Sequence, residues 1–221
     1  MSENYPGALE TSLAFGERRA DDAPAGLLIL HHGRGSDEHD LVSLADLLDP
    51  NRRLHIVAPR APFQLPGWQG YHWYQVPRVG YPDPETFQAS YRELAAFHDG
   101  FCGHYQIEPS RMMLGGFSMG TVMSYALGLG PDRPAPAGIL ALSGFIPTVE
   151  GWHAEIADRK DMPVFITHGR NDVVIDVSFA RTARDLLEQG GLEVEYHETD
   201  AAHHVDPTAL RSAGSWIEGV L

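Results

Sequence analysis

The stretch MMLGGFSMGTVMSYAL, residues 112–127, decides the fold. Met112 to Leu114 is a short apolar run ending in Gly115-Gly116, as a buried strand does. Thr121 to Leu127 reads as a helix. Between them Gly116-Phe117-Ser118-Met119-Gly120 fits G-x-S-x-G, in which small residues on both sides let a serine occupy a tight strand-to-helix turn. In a chain with 23 glycines the five-residue pattern alone is weak. The strand before it and the helix after it make it specific. On such a turn the hydroxyl projects above the sheet at a helix N-terminus, where the dipole favours developing negative charge.

The same alternation runs outward in both directions. Short apolar runs recur at Leu27 to Leu30, Leu54 to Val57, Gly138 to Leu142, Val164 to Thr167 and Leu192 to Tyr196. Helical periodicity separates them. Phe87, Tyr91, Leu94, Ala95 and His98 share one face behind an Asp83-Pro84 start. Phe179, Ala183, Leu186 and Leu187 form a second, stopped by Gly190-Gly191. Leu210, Ala213, Ile217 and Val220 form a last one behind Asp206-Pro207. Strand, helix, strand, helix predicts an α/β domain with a mostly parallel sheet, helices on both faces and right-handed crossovers. No linker divides residues 1–221, so one domain is expected.

A serine hydroxyl needs a base held by a third group. In this architecture the order is serine, acid, histidine. Asp172 follows the Val164 to Thr167 strand within His168-Gly169-Arg170-Asn171-Asp172. That is the sheet edge on which Ser118 sits. Asp161, Asp176 and Asp200 follow no strand end so directly. Only His197, His203 and His204 lie beyond it. His197 ends a strand; His203 and His204 share the loop before Asp206, and spacing leaves the two open. An oxyanion would be held by backbone N–H groups, one from Met119 after the serine. The second is expected from Arg34, in Gly33-Arg34-Gly35 after the first apolar run. That stretch is no dinucleotide fingerprint, since Glu38 stands where the third glycine belongs.

Residues 61–84 break the alternation with five prolines, three glycines and the aromatics Phe63, Trp68, Tyr71, Trp73, Tyr74 and Tyr81. A long connection without regular structure is often functional. Trp68, Trp73, Tyr74 and Tyr81, with Phe145, are expected to wall an apolar substrate pocket.

Composition bounds the rest. Sixteen basic against thirty acidic residues leave a net charge of −14. That argues against nucleic acid and anionic lipid as partners, and against anionic substrates. One cysteine, Cys102, cannot pair internally and fits a reducing compartment. The polar Met1 to Glu10 stretch lacks the features of a signal peptide, and no apolar run is long enough to span a membrane. A cytoplasmic chain, monomer or homodimer, is expected. Twelve histidines invite a metal, but His31-His32 neighbours on a strand point to opposite faces, and no H-x-x-x-H stands near an acid.

Taken together the motifs resemble the phospholipase/carboxylesterase family of α/β-hydrolases, which includes bacterial carboxylesterases and acyl-protein thioesterases. The resemblance runs from about Leu27 to the C-terminus. It rests on His32-Gly33-Arg34-Gly35 with Asp37-Glu38, Ala58-Pro59-Arg60, Trp73-Tyr74, Gly116 to Gly120, Leu142-Ser143-Gly144, His168 to Asp172, and Ala202-His203-His204-Val205. It implies an α/β-hydrolase fold without a large cap domain. It also implies Ser118, Asp172 and His203 as nucleophile, acid and base. Short- to medium-chain carboxylic esters are the expected substrates, with no cofactor or metal. His203 is chosen over His204 because Val205 then stands two after the base. Met119 replaces the family's glutamine, and Ala202 replaces a glycine. A thioesterase or lysophospholipase would use the same residues; a binding module on the same fold is the remaining alternative.

Overall fold

The structure, a computed structural model, describes residues 11–221. The expectation for Met1 to Glu10 lies outside the described residues. Among the described residues seven strands form one sheet in the order β1-β3-β2-β6-β7-β8-β9. These are β1 (Phe15–Arg18), β2 (Gly26–His31), β3 (Leu54–Pro59), β6 (Met112–Phe117), β7 (Gly138–Leu142), β8 (Pro163–Gly169) and β9 (Glu193–Thr199). All neighbours run parallel except β1, which pairs antiparallel with β3 at the edge. The sequence does not announce β1. Its FGER segment is four residues long and carries no apolar run.

The alternation of β-strand side chains feeds two layers. Leu27 and Ile29 point to one face, against α3 (Pro84–Tyr105) and α4 (Met119–Gly128). Leu28 and Leu30 point to the other, with α1 (Glu38–Val42), α2 (Ala45–Leu48) and α6 (Pro207–Val220). α5 (Ser178–Gln189) packs on Ile139, Ala141, Val164 and Ile166. The predicted helix starts hold: Asp83 accepts from the Thr86 N–H, and Asp206 from those of Thr208 and Ala209. α1 and α2, at five and four residues, are too short to show periodicity.

Residues 61–84 are not devoid of regular structure as expected. β4 (Phe63–Gln64) and β5 (Tyr71–His72) pair as a small antiparallel hairpin. Tyr71 bridges to Ser36, and the Trp68 indole N–H donates to Gly35 O at 3.2 Å. A side chain at Gly70 would strike Gly35 O at 1.9 Å, so the hairpin lies directly on the loop after β2. Arg60 clamps the same loop, its guanidinium held by both carboxylate oxygens of the buried Glu38. The Ala58-Pro59-Arg60 and Asp37-Glu38 motifs thus meet in one ion pair.

Candidate active site

Three strand ends converge. Ser118 follows β6 with φ +55° and ψ −117°, backbone angles an L-residue rarely adopts. The glycines around it permit the turn. A Cβ on Gly116 would lie 2.4 Å from the Gly120 carbonyl carbon, and one on Gly120 would lie 1.9 Å from His31 O. The Ser118 hydroxyl reaches His203 Nε2 at 2.9 Å. The other ring nitrogen, Nδ1, donates to Asp172 Oδ2 at 2.6 Å.

Asp172 has a fully buried side chain. Its second oxygen accepts the Val174 and Ile175 N–H groups, each at 2.8 Å. Burial pushes the Asp172 pKa up, but His203 and these two amides outweigh it and hold the group below its ordinary value. The carboxylate therefore stays ionised beside the imidazole. The loops carrying Asp172 and His203 are stitched together. Arg170 N–H donates to Thr199 O, Asn171 N–H to Ala201 O, and the Asn171 side chain to Asp200 O at 2.7 Å. A Cβ on Gly169 would meet Ala201 O at 2.2 Å, so the approach needs glycine. Ala202 has no positive φ, which is why alanine fits where the family has glycine.

The competing residues point elsewhere. His204 is exposed, and among the described residues only its backbone N–H makes a hydrogen bond, to Ala202 O. His197 stacks on Phe165 and bonds Glu195. Asp176 accepts the Ser178 N–H just ahead of α5, and Asp200 pairs with Arg170.

The loop after β2 is set by His32. The Ala61 N–H donates to His32 Nε2 at 3.0 Å, so that nitrogen is the bare one. The proton is then on Nδ1, which donates to Gly33 O at 2.8 Å. Burial pushes the His32 pKa down, in accord with a neutral ring. In a trans peptide the C=O and N–H point in opposite directions. By holding Gly33 O, His32 turns the Arg34 N–H the other way. Among the described residues neither the Arg34 nor the Met119 N–H has a hydrogen-bond partner, and both residues line one cavity with Ser118 and His203.

That cavity measures about 470 Å³. Tyr74 and Phe145 line it as expected. Trp68, Trp73 and Tyr81 do not. Trp73 is wholly buried beneath it, its indole N–H given to His32 O at 2.9 Å and its backbone N–H to Met119 Sδ. Trp68 is 65% exposed at the hairpin, and Tyr81 lines a neighbouring groove. Trp68 stands in the turn between β4 and β5, its backbone N–H on Leu65 O, and faces solvent, while the indole N–H draws Trp73 inward to a buried carbonyl. Val76, Val79, Pro82, Val174 and Ile175 take their place. Nothing in the sequence singles these out, because a valine, isoleucine or proline in an irregular loop carries none of the signal of an aromatic ring. Among the described residues no group of three or more His, Cys, Asp or Glu side chains is arranged to hold a metal.

Comparisons with known proteins agree with this architecture. The phospholipase/carboxylesterase family profile matches residues 18–221, and the chain belongs to that family. It is a serine hydrolase. Among its relatives is acyl-protein thioesterase 1 of Debaryomyces hansenii, 26% identical over 176 residues, covering 78% of this chain and 75% of that protein. The carboxylesterase of Bacillus cereus shares the fold, with a TM-score of 0.83, 22% identity and 95% of each chain covered. Esterase PE8 superimposes with a TM-score of 0.80 at 27% identity, covering 95% of this chain and 99% of that one.

Proposed function

We propose that the chain hydrolyses short- to medium-chain carboxylic esters through an acyl-enzyme formed on Ser118. The observation that carries this reading is the continuous hydrogen-bonded path from the Ser118 hydroxyl through His203 to a buried, ionised Asp172. His203 Nε2 takes the Ser118 proton as Oγ attacks the ester carbonyl. Asp172 holds the imidazole and balances its charge. The carbonyl oxygen, now negative, sits between the Arg34 and Met119 N–H groups, each such donor contributing roughly 2.7–4 kcal/mol. His203 returns the proton to the departing alcohol. Water then attacks the acyl group by the same route, releasing the acid and restoring Ser118.

Tyr74, Phe145 and the valines around them give the acyl group an apolar wall, and a cavity of about 470 Å³ is of small-molecule size. The same atoms would cleave a thioester. The likeness to an acyl-protein thioesterase supports that as the second reading. We place the chain in the cytoplasm on its lone, partly buried cysteine, whose thiol burial pushes up to about 11 and so keeps protonated. Among the described residues no helix is long and apolar enough to cross a membrane.

The test is hydrolysis of p-nitrophenyl esters from acetate to palmitate, with matched thioesters and Ser118→Ala beside the wild type. Turnover of short and medium chains that vanishes in the variant supports the ester reading. Faster turnover of long-chain thioesters moves it to the second. Near-wild-type turnover by Ser118→Ala refutes both.

A further inference from the structure

The chain has a single lysine, Lys160, so arginine carries nearly all its positive charge. Most of these arginines meet a carboxylate, among them Arg18, Arg52, Arg60, Arg133 and Arg181. Arg78 and Arg34 are different. Acids outnumber bases thirty to sixteen, yet among the described residues neither side chain has a carboxylate within ion-pair distance or a hydrogen bond. Both are exposed, and both line the cavity at Ser118. The Arg78 guanidinium lies 3.7 Å over the Tyr81 ring. A ring on one face holds the planar group while leaving its N–H edge free, the edge that matches a carboxylate. Arg34 occupies the variable position of the His32-Gly33-Arg34-Gly35 loop. One acid outside the Ser118–His203–Asp172 path, Asp40, lines the same cavity.

We propose that Arg78, with Arg34 on the same cavity, binds a carboxylate carried by the substrate, so that the ester hydrolysis proposed above is directed at anionic esters. The net charge of −14 does not oppose this at close range. Exposed charges farther away than about 8 Å are screened at physiological salt, whereas a bound carboxylate meets the two cations of the site directly. The overall charge slows the encounter of an anion; the local charge sets what is held. Asp40 opposes the two arginines and tempers the preference.

The experiment compares kcat/KM within two isosteric pairs. Monomethyl adipate against methyl adipamate puts the charge on the acyl side. 4-Acetoxybenzoate against 4-acetoxybenzamide puts it on the alcohol side. In at least one pair the wild type should favour the carboxylate about tenfold, the scale of one charge-assisted hydrogen bond. That ratio should fall towards one in Arg78→Gln, recover in part in Arg78→Lys, rise in Asp40→Asn and shrink with added salt. The ratio is internal to each variant, so a general loss of activity or folding cancels. Ratios at or below one in both pairs, or a preference that Arg78→Gln leaves intact, overturn the assignment while turnover of the amides keeps ester hydrolysis standing. No turnover of any of the four esters overturns both.

Discussion

Ser118 sits at φ +55°, where a side chain costs on the order of 1–3 kcal/mol. Glycine at that position relieves the strain; alanine does not. Ser118→Gly should therefore melt above Ser118→Ala by a few degrees, taking about 1 kcal/mol as 2–4 °C for a domain of this size, while both lose turnover by on the order of 10⁴-fold or more. Calorimetry of the two variants checks this, and equal melting temperatures would remove strain from the account. His32 acts through Gly33 O rather than on substrate. His32→Gln removes the shorter of the two hydrogen bonds on Gly33 O, leaving only that from the Ser36 N–H, and loosens the Gly33–Arg34 peptide, so kcat should fall tenfold or more with KM nearly unchanged, the mark of an interaction made only in the transition state. A change confined to KM would contradict this role. Ser118 and Asp172 were legible because each follows a strand end. His203 was not separable from His204 by spacing, since two adjacent loop residues differ only in where the chain turns them.

Elements follow the same division. Strands buried on both faces announce themselves as apolar runs, and α3 and α6 as periodic faces with an aspartate before a proline. Elements with little apolar signal are silent in the sequence: the edge strand β1, the short α1 and α2, and the β4–β5 hairpin, whose turn carries Trp68 out to solvent. Asp206 caps α6 three residues beyond His203. Asp206→Ala should cost about 1 kcal/mol of stability, the usual worth of a cap. Urea unfolding gives the number, and a midpoint unchanged from wild type would deny the cap that value.

Across the molecule, a column of neutral histidines braces the site from below. His31 on β2 meets Ser124 of α4 at 2.8 Å and His98 of α3 at 3.1 Å, all buried. Ser124 gives its one hydroxyl proton to Gly120 O. His31 Nδ1–H therefore donates to Ser124, and His31 Nε2 accepts from His98. Burial pushes His31 down to about 3 and His98 well below its ordinary value. Both titrate near 6.5 once unfolded. Between pH 6.5 and 3 the unfolded chain binds more protons, so stability is full above 6.5 and lost as the pH falls. His31 should contribute about 1 kcal/mol per pH unit in that window, and His98 acts in the same direction. Urea midpoints at pH 8, 6.5 and 5.5 should fall slightly between the first two and more steeply to the third. A flat profile would mean the pair is charged or solvated in the folded state.

The ordering of Ser118, His203 and Asp172 carries the functional account, and a fluorophosphonate probe tests it most directly. The wild type should take up one label per chain, found by peptide mass spectrometry on Ser118. His204→Ala should keep it, and His203→Ala should lose it. Label on another residue, or labelling that survives His203→Ala and fails in His204→Ala, would contradict the assignment of nucleophile and base.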